Sequence, residues 1–564
     1  MRLLKYFLGV VVVLSAIWVW AARSDRYPDR YLLVADHVWS PGLIDADAVL
    51  VDNGEIVSVG RAAELDTDGA VPRLEFPGKT VLPGLVEPHT HPIASALLGA
   101  VVDVSGFNHQ SRAEVMQSLT EAAGETALTP WLVAFGWDPV KIADIEPPTL
   151  AELDAISPDR PMLILTQMLH EAYANSAAQK AAGLPLSHGA VLRELDEVNA
   201  ATSAIPPPAP EVVEMLLRQQ YQAYARAGFT TIGITGAVGR HADPVGLLRK
   251  VGQDSSAPLR TYLYLTDEQA GDVGLHDPAQ DRFAILGTKL WVDGSPFTGG
   301  AAIAMPYEDT HLVRERLGLA HDHSGPDLGD PESFADKIVE LHAAGHQIAL
   351  HVQGERAVDW GLNGFARAQE LYPNPDLHHR LEHNALITQA QMTRAVDLSV
   401  SLGFFVDHIT YYGHRLPELF GPDRAGRYMP AGAAQQAGAV VTLHGDHPAT
   451  PLGPLLTLKT AVTRLGPDGA VLSPEQALSV EDALTAMTRN AAIQLGQGGR
   501  FGEIAPGQRA DFTIFSGNPI ETPPDQLDQL GVDRTIIDGQ PADLRPLWLS
   551  RPGLMLRVAA SVVF

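Results

Sequence analysis

Two histidines separated by one residue, His89 and His91, offer the first candidate chemistry in this sequence. They follow an apolar run over residues 80–86, which predicts a buried strand that breaks at Pro88. Residues i and i+2 of an extended strand project to the same side, so both imidazoles can reach one point beyond the strand end. Imidazole is a common metal ligand, but a single His-x-His motif is weak evidence for a metal site.

Further side chains that can bind a metal occur at or near the ends of later apolar runs. They are a lysine, two histidines and an aspartate: Lys289, His351, His383 and Asp446. Nitrogen and oxygen ligands of this kind suit zinc or a similar divalent ion. One such residue could be an ordinary core side chain. Together with His89 and His91 there are six, all at corresponding positions near strand ends, and so many are much harder to explain in that way. The sequence therefore predicts a divalent metal site.

The runs that carry these residues alternate with helix-like segments such as 210–227 and 331–344, a pattern typical of parallel α/β proteins. Eight strands in this alternation predict a (β/α)₈ TIM-like barrel, whose active site lies at the carboxyl ends of the strands. The predicted strands are 80–86, 230–235, 260–265, 288–292, 347–351, 380–383, 398–403 and 439–445.

The remaining segments predict further domains. Short alternating runs near both ends of the chain indicate a small β-sandwich domain built from residues 24–78 and 500–543. The barrel would then occupy residues 79–499. The segment 93–209 does not fit the barrel period, and we interpret it as an insertion that covers the barrel mouth, with strands at 131–137 and 161–166.

Both termini are apolar. In residues 1–23, Arg2 and Lys5 precede an uncharged run, which predicts either an uncleaved signal anchor or a cleaved signal peptide. On both alternatives the body is exported to the periplasm or another extracytoplasmic side, and the anchor would also attach it to the membrane. The C-terminal tail, 544–564, either lies on the membrane or packs on the body.

Composition excludes several classes of function. The formal net charge of −27 argues against a nucleic-acid partner, because such proteins need clustered Lys and Arg. The chain has no cysteine, which excludes disulfides, Cys-ligated zinc and a thiol nucleophile. The partners that we expect are a small-molecule substrate and, through the N-terminal segment, the membrane.

Taken together, the motifs resemble those of the metal-dependent amidohydrolase superfamily, in particular the branch that includes N-substituted formamide deformylase. The resemblance covers about residues 31–540. It rests on Gly78-Lys-Thr-Val-Leu-Pro-Gly84 with His89-Thr-His91, Gly136-Trp-Asp138, Ala174-Asn-Ser176, Lys289 with Asp293-Gly-Ser295, Pro306-Tyr307, His351 to Ala357, Glu382-His383, Asp446-His-Pro448 and Ala510-Asp511.

The resemblance implies a role for each candidate ligand. His89 and His91 would bind the more buried of two ions. His351 and His383 would bind the second ion. Asp446 would ligate the first ion and carry a proton from the attacking water to the leaving nitrogen.

The resemblance also implies that Lys289 is carboxylated on its amine and bridges the ions. An unmodified ammonium has no lone pair and repels a cation, so Lys289 must be carboxylated, neutral or elsewhere. The alternative is a buried lysine paired with a carboxylate such as Asp293.

The substrate site is less clearly indicated. His170, from the insertion, is expected to face the substrate, with Trp137 as an apolar wall, although either residue could instead be scaffold only. Relatives commonly have Asp where this chain has Glu87 and Glu355, so each carboxylate here is one methylene longer.

The resemblance therefore implies a metal-dependent hydrolase that cleaves a carbon–nitrogen bond in an amide, formamide or cyclic amide. The alternatives are a deaminase of a nitrogen heterocycle on the same scaffold and, less in keeping with the ligand set, a non-catalytic binding protein. A second His-x-His motif, His321-Asp-His323, lies in a polar loop and is interpreted as solvated. His444, two residues before Asp446, stays an open candidate.

Overall fold

A computed structural model describes residues 25–563 apart from 68, 126–129, 144, 168, 170, 187–188, 193–194, 272 and 276–281. The predicted signal or anchor segment and His170 lie outside the described residues, so those two interpretations stay predictions. Among the described helices, none combines the length and apolar character that a membrane span requires.

The centre of the molecule is an eight-stranded parallel sheet in which each strand pairs with the next along the chain. Its last strand lies beside its first, so the sheet forms a nearly closed barrel and confirms the predicted TIM-like fold. The strands are β1 (Leu85–Thr90), β2 (Phe229–Thr235), β3 (Arg260–Thr266), β4 (Phe283–Trp291), β5 (Gln347–Val352), β6 (Arg380–His383), β7 (Ser401–Phe404) and β8 (Val441–Leu443).

The first strand differs from the prediction. The apolar run 80–86 is not one strand, because Arg73–Pro83 belongs to a separate sheet and β1 starts only at Leu85. A β-carbon at Gly84 would lie 2.1 Å from Oγ1 of Thr230, so only glycine fits where the chain passes between the sheets. Pro88 lies inside β1, where the missing N–H is tolerated because β1 is hydrogen-bonded to β2 alone.

Helices pack around the barrel, and the two predicted helices are observed at Pro210–Arg226 and Pro331–Ala343. Each begins with proline, whose fixed φ suits the first helical position. The other α-helices are Ala62–Leu65, Pro92–Leu98, Arg112–Gly124, Leu150–Ile156, Ser176–Ala181, Leu195–Ala204, Pro244–Gly252, Asp267–Ala270, Glu355–Leu371, Gln389–Asp397, Asp407–Tyr412, Leu416–Ala425, Ala431–Gln436, Pro454–Thr463, Val480–Ala486, Arg489–Gln494, Leu547–Ser550 and Pro552–Val563.

Both ends of the chain contribute to one small β domain, as predicted. The sequence predicted a β-sandwich, whereas in the structure all seven strands of this domain belong to one hydrogen-bonded sheet. Apolar side chains are buried on both of its faces, with Leu33 and Phe512 in one cluster and Leu32 and Leu50 in another. The strands are Arg30–Val38, Ala46–Asp52, Glu55–Gly60, Arg73–Pro83, Phe512–Phe515, Val532–Ile537 and Gln540–Pro541.

The insertion forms a five-stranded sheet with its own apolar core. The two strands predicted there are confirmed at Leu132–Trp137 and Met162–Thr166, and the others are Val102–Asp103, Ala172–Ala174 and Val191–Leu192. Gln167 directly follows the strand Met162–Thr166, and its Nε2 donates to the carbonyl of Ala449 at 3.0 Å. The insertion therefore contacts the loop that follows β8, at the carboxyl end of the barrel.

The C-terminal tail packs on the body, one of its two predicted alternatives. Gln222, on the helix Pro210–Arg226, donates to the carbonyl of Arg545 at 2.8 Å. Leu554 and Val558 of the last helix are buried.

A buried ion pair joins the barrel to the small β domain. Arg260, the first residue of β3, donates from Nε to Oδ2 of Asp511 at 2.7 Å and also contacts Asp538. Arg260 and Asp511 are almost fully buried. Removing one partner of such a pair leaves a buried charge uncompensated, which is costly.

We expect Arg260→Met to lower the free energy of unfolding by about 3–5 kcal/mol. The matched control is Arg30→Met, because Arg30 pairs with Asp52 at the surface and should contribute less than about 1 kcal/mol. Urea unfolding of both variants measures the difference. Equal losses would show that the Arg260 pair does not fasten the two domains.

Candidate metal centre

Imidazoles from three strands converge at the carboxyl end of the barrel. The ring centroid of His383 lies 4.7 Å from that of His89 and 4.4 Å from that of His351. His91, one residue beyond β1, lies beside them with its ring 5.5 Å from His89. The structure thus brings together all four histidines that the sequence predicted as ligands.

Asp446 extends into this group from the loop after β8. Its Oδ1 lies 3.2 Å from Nε2 of His91 and 3.5 Å from Nε2 of His89, while Oδ2 lies 4.0 Å from Nδ1 of His383. Asp446 has a φ of 49°, a left-handed backbone that is uncommon outside glycine and that clusters at functional sites. The ligand atoms of His89, His383 and Asp446 all lie within 4.8 Å of one another.

Lys289 is fully buried on β4 and approaches the same centre. Its Nζ has no hydrogen-bond partner among the described residues, so the predicted alternative of an ion pair with Asp293 is not observed. Burial lowers the pKa of Lys289 to about 8, although Glu382 and Asp446 act to raise it. A share of the amine is therefore neutral near pH 7, which is the form that can react with carbon dioxide.

Unpaired buried nitrogens test whether these residues fit a metal. Within the described part of the chain, Nζ of Lys289 and Nδ1 of His383 have no hydrogen-bond partner. Buried polar atoms are nearly always paired, so such atoms call for a ligand or an ion. Nitrogen and carboxylate donors within a few ångströms of one another match the ligands of zinc and related divalent ions. The residues therefore fit a divalent metal.

Glu382 orients His89. Nδ1 of His89 donates to Oε2 of Glu382 at 2.5 Å, which leaves Nε2 free to face Asp446. Burial raises the pKa of Glu382, but the Arg380 guanidinium and His89 hold it well below its usual value, so Glu382 stays a carboxylate. A carboxylate behind a ligating histidine fixes the tautomer and strengthens the ligand.

In the sequence, Glu382 belongs to the Glu382-His383 motif, but no role was predicted for it. Strand alternation would place Glu382 and His383 on opposite faces. His383, however, has a left-handed φ of 74°, and both side chains reach the same site. The sign of this role in the sequence was that Glu382 directly precedes the candidate ligand His383.

Asp293 orients His351 in a similar way. Its Oδ1 lies 3.1 Å from Nδ1 of His351, and the carboxylate also accepts the backbone N–H groups of Ala302, Gln353 and Gly354. These bonds tie together the loops that follow β4 and β5. Asp293 therefore positions a candidate ligand instead of pairing with Lys289.

Glu87 connects the two strands that close the barrel. Oε1 accepts the backbone N–H of His89 at 3.2 Å, and Oε2 accepts that of Gly445 at 3.1 Å. Burial raises the pKa of Glu87 well above its usual value. The longer side chain thus bridges β1 to the residue that precedes Asp446.

His444, the open candidate, is buried behind the centre. Its ring stacks on His89 with centroids 4.7 Å apart and lies 5.0 Å from that of His383. Neither of its nitrogens has a hydrogen-bond partner among the described residues. His89, Glu382 and His444 form a second group of nearby ligand atoms. The adjacent Arg380 guanidinium makes that group the poorer cation site, because like charges repel.

The remaining candidates lie outside the centre. Trp137 is fully buried in the insertion core, with its ring 5.2 Å from that of Tyr173, which favours the scaffold alternative. His170 is outside the described residues. In the second His-x-His motif, His321 is exposed beside Asp309, and His323 contacts the carbonyl of Gly299 at 2.7 Å.

Comparison with known proteins agrees with this geometry. The model of a family described as the amidohydrolase family matches residues 77–543. N-substituted formamide deformylase of Arthrobacter pascens is 25% identical over 88% of this chain and 94% of its own. A putative amidohydrolase of Bacillus subtilis is 24% identical over 88% and 95% of the two chains. The crystal structure of an uncharacterized metal-dependent hydrolase from Pyrococcus horikoshii, 21% identical, covers 87% of this chain and 99% of its own with a TM-score of 0.70, and shows that the fold is shared.

We expect His89→Ala to lose most of its bound metal, because the variant removes a central ligand. Glu382→Gln should lower metal affinity by about 10–100-fold, because the amide orients His89 less well. Metal content after gel filtration and titration with a competing chelator measure both effects. His321→Ala is the matched control and should bind metal like the wild type. Unchanged binding by His89→Ala would show that the centre is not a metal site.

The carboxylated lysine has its own test. Lys289→Met should bind fewer ions than the wild type, whereas Lys289→Glu should keep more of them because it restores a carboxylate. Elemental analysis of zinc-loaded protein gives the ion count per chain. If the Met variant binds as many ions as the wild type, Lys289 is not a bridging ligand.

Proposed function

The chain belongs to the amidohydrolase family, and on this premise we propose that it is a metal-dependent hydrolase that cleaves a carbon–nitrogen bond in an amide, formamide or cyclic amide. The observation that carries the proposal is the position of Asp446 between the imidazoles of His89 and His91. A carboxylate in this position can exchange protons with a reacting group beside the ligands.

Asp446 is in the ionised form that can accept a proton. Burial raises its pKa, but His89 and His91 hold it well below its usual value, so Asp446 is ionised at neutral pH. A divalent metal, when bound, polarises the substrate carbonyl and supplies a nucleophilic water at neutral pH. Asp446 would accept a proton from the attacking water and deliver it to the leaving nitrogen, which would otherwise depart as a poor, anionic leaving group.

The surrounding residues keep the reaction out of bulk solvent. The side chains of His89 and His383 are only 1% and 2% exposed, whereas those of His91, His351 and Asp446 are between 13% and 17% exposed. The latter three therefore mark the face that a substrate reaches. Charge interactions are stronger in such a partly dry site than in water.

The choice of bond is supported by the relatives. One of them is named as a deformylase of N-substituted formamides. Hydrolysis of a formamide requires a proton for the departing amine, which is the role that we propose for Asp446.

The test is turnover of N-formyl amines, N-acyl amines and cyclic amides by the full chain loaded with zinc or manganese. We expect amine release from at least one class, and we expect Asp446→Asn to lower kcat by about 10²–10⁴-fold. Asp528→Asn, at a surface pair with Lys459, is the matched control and should keep full activity.

Each alternative has a distinct outcome. Ammonia release from nitrogen heterocycles, without amide cleavage, would identify a deaminase and overturn the proposal. A protein that binds metal neither before nor after loading and turns over nothing would be a binding protein.

A further inference from the structure

The rim of the barrel around the metal centre has two unlike sections. Candidate ligands lie on or just after β1, β4, β5, β6 and β8. The neighbouring strands β2 and β3 span residues 229–235 and 260–266, whose one charged residue, Arg260, lies at the start of β3, away from the centre. They end at Thr235 and Thr266, so neither strand places a candidate ligand at the centre. The first charged residue after β3, Asp267, pairs with Lys337.

Trp291 lies across the ends of β2 and β3. It is the last residue of β4, two residues after Lys289, and the Nζ of Lys289 lies 5.3 Å from the centre of the indole ring. At the far side, a β-carbon on Gly236, the residue after β2, would lie 3.0 Å from Cη2 of Trp291 and 3.6 Å from the methyl group of Thr266. The indole therefore reaches from β4 past the end of β3 to β2.

The indole is held in place but not covered. Trp291 is 45% exposed, although the residues just before it on β4 are buried. A single exposed hydrophobic residue is common on protein surfaces, so exposure alone indicates nothing. Trp291 differs because its ring is fixed between Gly236 and Lys289. A rigid aromatic surface binds a ligand with little loss of conformational entropy.

We propose that Trp291 is a specificity-determining residue that packs against an apolar or aromatic substituent on the substrate nitrogen. This inference rests on the proposed function. A formamide carries only hydrogen on its carbonyl carbon, so its variable group is attached to the nitrogen. An uncharged wall beside the reacting centre fits such a group. Trp291 thus provides the apolar wall that the sequence assigned to Trp137.

The test compares N-phenylformamide with N-methylformamide as substrates of the zinc-loaded full chain. The wild type should have the higher kcat/KM for the phenyl compound. In Trp291→Ala this preference should fall by about 3–10-fold, mainly through KM, because one aromatic contact is lost. Trp291→Phe should keep most of the preference, because it retains an aromatic ring.

The matched control is Trp548→Ala, since Trp548 is also an exposed tryptophan, 57% accessible, but lies on the C-terminal tail. This variant should keep the wild-type preference. An equal loss of kcat/KM for both substrates in Trp291→Ala would mean a structural role and would overturn the inference, as would an absent preference in the wild type.

Calorimetric binding of the same two compounds separates this inference from the proposed function. If neither compound is hydrolysed, the proposed function fails for formamides. The wall is still supported if the phenyl compound binds the wild type more tightly and Trp291→Ala removes that difference. Equal affinities of the two compounds for the wild type would reject it.

Discussion

The metal centre depends on one buried ion pair, between Arg380 and Glu382. Nη2 of Arg380 donates to Glu382 and to the carbonyl of Pro88, each at 2.9 Å, and Nη1 donates to the hydroxyl of Tyr264 at 3.3 Å. The pair therefore connects β6 with β1 and β3. Because Arg380 keeps Glu382 ionised, Glu382 can hold His89 with Nε2 directed at Asp446. Without the guanidinium, the buried carboxylate would have to be protonated or leave the core.

The same requirement, that buried polar groups be paired, explains the residues around the centre. Asp293 satisfies three backbone N–H groups as well as His351, and Glu87 satisfies those of His89 and Gly445. Each carboxylate joins the ends of neighbouring strands and positions a candidate ligand. Among the described residues, buried nitrogens without a hydrogen-bond partner, such as Nζ of Lys289 and Nδ1 of His383, lie among the candidate ligands. The hydrogen-bonded carboxyl groups and the unpaired nitrogens together thus define the candidate site.

Strand order leaves two neighbouring strands, β2 and β3, without a candidate ligand, and this arrangement links the fold to specificity. The ligands come from strands on both sides of β2 and β3, so a substrate bound at the centre lies beside those two strand ends. Trp291 covers them. On the opposite side, Gln167 brings the insertion to the loop after Asp446, so the insertion also borders the site.

Much of the fold and most of the ligand set could be predicted from sequence, because both depend on local patterns. Seven of the eight barrel strands overlap their predicted ranges by three residues or more. β6 matches at both ends, whereas β4 begins at Phe283 and not at residue 288. The first strand was misplaced because a continuous apolar run does not show where the chain leaves one sheet and enters another. Its break at Gly84 is decided by contact with Thr230, a residue far away in sequence.

The sequence by itself determined which residue types end the barrel strands, and with them the histidines, lysine and aspartate of the candidate metal centre. Only the tertiary structure decided how those residues are oriented. His89 and Glu382 are 293 positions apart, and strand alternation predicts the wrong face for one residue of the Glu382–His383 pair because His383 has a left-handed backbone. Likewise, Trp137 and Trp291 are both tryptophans near strand ends. Only packing shows that the first is enclosed by the insertion core and the second is open beside Lys289.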